Sequence, residues 1–294
     1  MSIPKIKTYP LPEANSLPKN KVDWQLDNKS AVLLIHDMQN YFINYYENGS
    51  QLIEGVIEKI ARVKAYCQSQ NIPIVYTAQP GNQKDEDRAL LTDFWGPGLT
   101  EDEAQTGIVP ELAPTDNDTI QTKWRYSAFK KSNLLDRMKE DGRDQLIICG
   151  VYAHIGCLAT AMEAFMYDIQ PFLIADAVAD FSYEEHVQAL NYTATRCGKV
   201  LLTEALLHDL SEKNASNRTH SEIKAKVAEI LDISPSEIKD DDDLVSLGLD
   251  SIRMMTLVEE WRAEGADVNF MKMASNPTLQ AWYEMFPQTD EVYS

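Results

Sequence analysis

A repeating pair of patterns constrains this chain more than anything else in it. Ala31-Val-Leu-Leu-Ile35 is a short unbroken apolar run, and Leu52, Ile53, Val56, Ile57, Ile60 and Val63 follow it at helical spacing. Such a run reads as a parallel strand buried on both faces, and the spacing after it as an amphipathic helix. The pair recurs. Residues 72–77, 118–122, 145–151, 171–175 and 200–203 read as further strands, with helices expected over 157–167 and 184–196. Six strands alternating with helices predict an α/β fold, a doubly wound parallel sheet in a three-layer, Rossmann-like arrangement. Residues 1–27, rich in Pro, Lys and Asn, are expected to run as an extended arm over its surface.

Past Leu206 the pattern changes. Residues 210–219 are polar and aperiodic, as in a linker or the worn end of a helix. Thr219 and Glu222 make a capping-box pattern ahead of Ile223, Val227, Ile230 and Leu231, which share one helical face. A loop with four aspartates at 240–243 leads to Leu247-Gly-Leu-Asp-Ser251, after which Ile252, Met255, Leu257, Val258 and Trp261 predict a second amphipathic helix. A last short helix is expected over 277–283. The expected domains are therefore an α/β unit over 1–210, a linker over 211–218 and a small all-α bundle over 219–294.

The formal charge is −19, and residues 214–294 hold 16 acidic against seven basic side chains. That surface repels phosphate backbones and anionic membranes, so nucleic acid and membrane are not expected partners. The N-terminus has prolines where a signal peptide needs an apolar core, and no run approaches the length of a membrane span, so a cytoplasmic location is expected. Cys67, Cys149, Cys157 and Cys197 lack CxxC or metal-ligand spacing and read as reduced thiols.

The segment LGLDSIRMM resembles the attachment site of acyl, peptidyl and aryl carrier proteins, and the resemblance covers 219–285. Gly248 permits a tight bend, and Ser251 presents its hydroxyl at a helix start, where free backbone N–H groups meet an incoming phosphodiester. The resemblance implies one covalent 4'-phosphopantetheine arm, at Ser251. The aspartate run is expected to keep this domain soluble and steer it toward basic partner surfaces. Of Met254, Met255, Met271 and Met273, most are expected in the core and the rest on a docking surface.

Ligand sites in open α/β sheets gather at the carboxyl ends of the strands. Standing there are His36-Asp-Met-Gln-Asn-Tyr-Phe42, Thr77-Ala-Gln79, Lys123-Trp-Arg-Tyr126 and Gly150-Val-Tyr-Ala-His-Ile-Gly156. The set resembles the isochorismatase-like hydrolases over about residues 28–208, a family that includes amidases with an Asp, Lys, Cys triad. Asp37 matches its aspartate and Lys123 its lysine; where the cysteine is expected this chain has Gly156, with Cys157 one residue beyond. Glycine supplies no nucleophile. Hydrolysis of a vinyl ether needs none, and glycine would leave room for substrate and water.

The resemblance therefore implies an isochorismatase that releases pyruvate and 2,3-dihydro-2,3-dihydroxybenzoate, with Asp37 as general acid, its pKa raised by burial. Lys123 would orient Asp37 or bind a substrate carboxylate, Gln79 and Arg88 would hold carboxylates, and N–H groups from Ala153 through Ile155 to Gly156 would receive an oxyanion. His36 and His154 read as structural. Related amidases bind a divalent ion, but the loop after the second strand has no Asp-x-His or His-x-x-x-His, and no metal is expected.

Joined, the two resemblances give the arrangement of the bifunctional isochorismatase and aryl carrier proteins of catecholate siderophore synthesis, of the enterobactin and vibriobactin kind. They imply as partners isochorismate, a phosphopantetheinyl transferase, a 2,3-dihydroxybenzoate-AMP ligase and a condensation-domain enzyme, with a lean toward a homo-oligomer through the hydrolase domain. Met162 to Met166, or the aromatics Tyr41 to Tyr46, are candidate core or subunit contacts. Two other readings stay open: a catalytically silent scaffold joined to a carrier, and an amidase using Cys157.

Overall fold

The computed structural model describes residues 3–47, 49–216, 220–263, 266 and 268–286. The chain divides into two compact units, Met1–Leu207 and His208–Ser294. In the first, six strands form one parallel sheet in the order β3-β2-β1-β4-β5-β6: β1 (Ala31–His36), β2 (Ile74–Ala78), β3 (Thr119–Thr122), β4 (Gln145–Val151), β5 (Gln170–Ala179) and β6 (Lys199–Leu201). Helices α1 (Asn40–Ile43) and α2 (Gln51–Ser69) follow β1, while α3 (Asp85–Arg88), α4 (Leu91–Trp95) and α5 (Glu103–Thr106) come between β2 and β3. The remainder are α6 (Leu134–Glu140), α7 (Leu158–Met166), α8 (Tyr183–Tyr192) and α9 (Thr203–Ser216).

All six residues of β1 are buried, as a central strand covered on both faces requires. Val32 and Leu34 join Leu146, Ile148 and Leu173 in a core closed by Leu134 and Met138 of α6, Ala161 and Ala164 of α7, and Ala189 and Leu190 of α8. Alternation sends Leu33 and Ile35 to the other face, where α2 lies against β1, β2, β4 and β5 and buries Val56, Ile60 and Val63. Each such side chain contributes about 1.5–3 kcal/mol on full burial. From β1 the sheet grows toward β2 on one side and β4 on the other, so the winding reverses between β1 and β4. The crevice at that reversal is where α/β sheets hold ligands.

Three expectations are corrected. β5 runs to Ala179, well beyond 175, with a register shift against β4 between Ile148 and Gly150. The N-terminal arm is not superficial: Ile3, Ile6 and Leu26 are buried, and Ile6 pairs with Tyr46. Through most of the expected linker the chain is helical, because α9 continues to Ser216. Of the two candidate contact sets, Phe42 and Tyr46 are buried, whereas Met162, Phe165 and Met166 are exposed.

In the second unit, α10 (His220–Leu231), α11 (Ser251–Ala263), α12 (Phe270–Ser275) and α13 (Leu279–Tyr283) enclose a core that includes Ile223, Val227, Leu257, Val258, Trp261 and Trp282. Thr219 of the expected capping box lies outside the described residues. The expected face of α11 is partly corrected: Met254 is buried, while Ile252 is 78% and Met255 43% exposed. Met273 packs in the core and Met271 stands outside it. α12, not foreseen, starts where the Asn269 side chain accepts from the N–H groups of Met271 and Lys272.

Candidate active site

β1 ends in His36, and the next residue, Asp37, turns the chain with φ of +50°, a left-handed conformation uncommon outside glycine. Thr77 of β2 holds it there: the Asp37 N–H donates to Thr77 Oγ1 (3.1 Å), and the Thr77 hydroxyl donates to Asp37 Oδ1 (2.5 Å). From just past β3, Lys123 Nζ donates to Asp37 Oδ2 at 2.8 Å, and both side chains are buried. Burial pushes the Asp37 carboxyl up, but the basic neighbours His36 and Lys123 and the hydrogen bonds from Lys123 and Thr77 outweigh it. Its pKa is lowered, which corrects the expectation of a raised one. Burial pulls the His36 imidazole down to about 4, so the ring is neutral at neutral pH.

Gln39, also buried, exchanges hydrogen bonds with the backbone of Gln79 (2.7 and 2.9 Å) and donates to Thr106 O (2.8 Å), which pins the end of β2 to the end of β1. A cleft with about 590 Å³ of empty space, open solvent at its mouth included, lies at this rim. The structure brings Asp37, Gln79, Arg88, Lys123, Ile155 and Gly156 together on its wall. Ala153 does not join them; it is fully buried in the hydrophobic core. The N–H groups expected to bind an oxyanion are partly engaged, since His154 N–H donates to Asp180 Oδ2 (2.6 Å) and Ile155 N–H to Tyr152 O (3.2 Å).

At Gly156 the structure corrects the sequence expectation. A Cβ there would lie 2.1 Å from His36 Cε1, so the imidazole occupies the space predicted for substrate and water. Cys157 is fully buried and forms no part of the cavity wall, and burial raises its thiol well above the usual range. That is the environment of an inert thiol.

Arg88 sits in a charged run that reads as a solvated face, yet it is 5% exposed. Its Nε donates to Gly96 O, and its guanidinium fills the space beside Gly98, where a Cβ would come within 2.5 Å of it. Burial lowers its pKa, and among the described residues no carboxylate lies within 4.0 Å of it. Arg125, Tyr126 and Tyr152 of the strand-end segments also line the cavity, with no role expected for them individually, as do Trp95 and Phe181, which were not foreseen. Phe181 follows the part of β5 that the sequence places too short; Trp95 belongs to α4, for which no periodicity gives a sign.

His154, Asp180 and Glu185 form the one grouping of three metal-competent side chains among the described residues. Asp180 is committed elsewhere, accepting from the His154 ring (2.6 Å), from His154 N–H and from Phe181 N–H (2.9 Å). Burial lowers the His154 pKa, but Asp180 and Glu185 outweigh it and raise the group. The trio reads as an anchor between the turns after β4 and β5.

In the second unit Ser251 is exposed at the start of α11. Asp250 Oδ1 caps the helix by accepting from Arg253 N–H (2.8 Å), and Gly248 takes φ of +106° in the bend before it.

Residues 31–205 match the isochorismatase domain family, and residues 221–286 the phosphopantetheine attachment site family. The chain is 50% identical to an isochorismatase of Bacillus subtilis over 297 residues, covering 97% of this chain and 95% of that protein. It is also 50% identical to enterobactin synthase component B of Escherichia coli over 285 residues, covering 97% and 98%. Among solved structures, a cysteine hydrolase from Pseudomonas syringae matches at a TM-score of 0.59 and 18% identity, covering 65% of this chain and 96% of that one, a likeness of fold.

Proposed function

The chain belongs to the isochorismatase family and continues into a phosphopantetheine-attachment domain, and on that premise we propose that it joins an ether hydrolase to an aryl carrier. The first unit hydrolyses the vinyl ether of isochorismate to pyruvate and 2,3-dihydro-2,3-dihydroxybenzoate. The second carries 2,3-dihydroxybenzoate as a thioester for nonribosomal siderophore synthesis.

The observation that carries the hydrolytic reading is a buried acid and ammonium pair, Asp37 and Lys123, facing a cavity whose turn offers glycine and no nucleophile. In the resting site Asp37 is ionised and the proton resides on Lys123. A dianionic substrate raises the proton affinity of both members, so the transfer from Lys123 to Oδ2, the oxygen the pair shares, is drawn by the onward uptake of the proton at the substrate. From there it passes to the terminal enol carbon, leaving an oxocarbenium ion. Water adds to the cation and returns its proton to the pair; the hemiketal then collapses to pyruvate and the ring alcohol. Arg88, buried with no carboxylate partner among the described residues, binds one substrate carboxylate and thereby loses the cost of its own burial. Gln79, fixed by Gln39, hydrogen-bonds the same group.

Ser251 fits the phosphopantetheine arm: its hydroxyl is exposed on a capped helix start, with Ile252 and Met255 exposed beside it. When attached, the arm supplies the thiol that forms the thioester. A phosphopantetheinyl transferase, an aryl-adenylating ligase and a condensation enzyme are the partners this reading requires. The exposed Met162, Phe165 and Met166 of α7 support self-association of the hydrolase unit. None of the described helices is long and apolar enough to cross a membrane.

Pyruvate release from isochorismate by the wild type and by Asp37→Asn, each checked for a folded circular-dichroism spectrum, tests the reading. Turnover that falls by several orders of magnitude in the folded variant is the expected result. No pyruvate from folded wild type would leave a carrier joined to a silent scaffold.

A further inference from the structure

His36 has no role in the reaction drawn above, yet two glycines give way to it. A Cβ on Gly150 would lie 2.1 Å from the His36 carbonyl oxygen, and one on Gly156 2.1 Å from its ring. Its backbone and its side chain are thus each received by a residue without a side chain, both from the segment that ends β4 and makes the next turn. The ring is 1% exposed and still borders the cavity. An apolar residue would fill such a place at lower desolvation cost, so the polar atoms of the ring need a reason.

The contacts supply one. His36 Nδ1 lies 2.8 Å from Val151 O, and Nε2 lies 3.3 Å from Tyr126 O. The neutral ring has one hydrogen to donate, and the shorter contact places it on Nδ1. The ring therefore stands between the turn after β4, which carries Gly156, and the segment after β3, which carries Lys123 and Tyr126. Asp37 follows it directly in the chain, with Oδ2 3.7 Å from Nδ1. Asp37 and Lys123 are the charged groups that face the ring.

We propose that His36 is a positioning residue for the hydrolysis: wedged between Gly156 and the Val151 and Tyr126 carbonyls, its imidazole sets the spacing of the two cavity walls between which Asp37 meets the enol carbon. This rests on the ether-hydrolase reading and adds a residue to it. The role is geometric, so its loss should lower kcat with little change in KM, because misplacement by about 1 Å costs on the order of 100-fold in rate.

The test uses the full chain and pyruvate release from isochorismate, with thermal unfolding measured on each variant. His36→Leu, which fills the volume without a hydrogen bond, and Gly156→Ala, which pushes a carbon into the ring, are each expected to lose about 100-fold in kcat. Because both act through the same wedge, His36→Ser with Gly156→Ala should lose no more than the worse of His36→Ser and Gly156→Ala measured singly. His36→Asn, which keeps a donor for Val151 O, should recover part of the loss. Wild-type kcat in folded His36→Leu, or losses that multiply in the double variant, would overturn the proposal. Should His36→Leu not fold, Gly156→Ala with unchanged kcat overturns it alone. Absence of pyruvate from wild type would sink the ether-hydrolase reading, and this inference with it.

Discussion

Replacing Lys123 by Met leaves Asp37 Oδ2 buried beside a side chain of similar length with no charge and no donor, where Lys123 Nζ had stood at 2.8 Å. Removing one partner of a buried ion pair costs about 3–5 kcal/mol, mostly as the desolvation of the charge left behind. The pH dependence gives the sign. In the wild type the Asp37 pKa is below its ordinary value of 3.8, so the pair's stabilisation is present above about pH 4 and is lost as pH falls through the folded pKa. In the variant His36 and Thr77 still oppose burial, but both contributions of Lys123 are gone and the pKa rises. The protonated form is then favoured, and stability is lost as pH rises from about 4 through that raised value. Calorimetric unfolding at about pH 4 and about pH 8 should therefore show a wider gap between the two proteins at the higher pH, because the wild type keeps most of its stabilisation at pH 4 while the variant loses stability above it. Kinetically, a lysine that stores the proton predicts a fall of about 100- to 10,000-fold in kcat with KM nearly unchanged. An equal loss of stability at both pH values would refute the electrostatic account; a raised KM at wild-type kcat would show that Lys123 binds a carboxylate.

Thr77→Val keeps the volume but removes the donor to Asp37 Oδ1, a hydrogen bond to a charged group worth about 1.5–3 kcal/mol, or roughly one to two pKa units. The Asp37 carboxyl, followed by NMR titration, should move up by that amount and return with Thr77→Ser; a carboxyl that stays or moves down counts against the coupling. Arg88→Gln should raise KM for isochorismate by about 10- to 100-fold, the loss of a charge-assisted hydrogen bond, with a smaller effect on kcat. Mass spectrometry after incubation with coenzyme A and a phosphopantetheinyl transferase should show a single adduct on the wild type and none on Ser251→Ala; an adduct on the variant would place the arm elsewhere.

Much of this molecule is legible in its sequence because strands buried on both faces leave unbroken apolar runs, and five of the six runs end within two residues of the observed strands. β5 escapes because Asp176 interrupts the run; it is tolerated there because Oδ1 accepts from the Thr203 N–H and hydroxyl. Asp37 is legible because ligands gather at strand ends near the switch point, whereas Lys123, just past the edge strand β3, stands out only by its match to the family lysine. Arg88 was a weaker inference: Asp85-Glu-Asp-Arg88 looks like any solvated charge run, and only the fold shows that one member turns inward. The role of Gly156 was half legible. That it bars a side-chain nucleophile follows from the residue; that the vacated space belongs to His36 needs coordinates, since 120 residues separate the two. Ile252 and Met255 illustrate the opposite error, where helical spacing placed in the core two side chains that stand outside beside Ser251.

Any side chain introduced at 156 drives a carbon into the His36 ring, and trimming His36 first strips Val151 O of the ring's hydrogen bond and opens a void beneath the acid. Neither order of substitution avoids a damaged intermediate. The two positions therefore form an epistatic lock: a descendant of this chain could regain a nucleophile at 156 only by crossing a fitness valley or by changing both codons together.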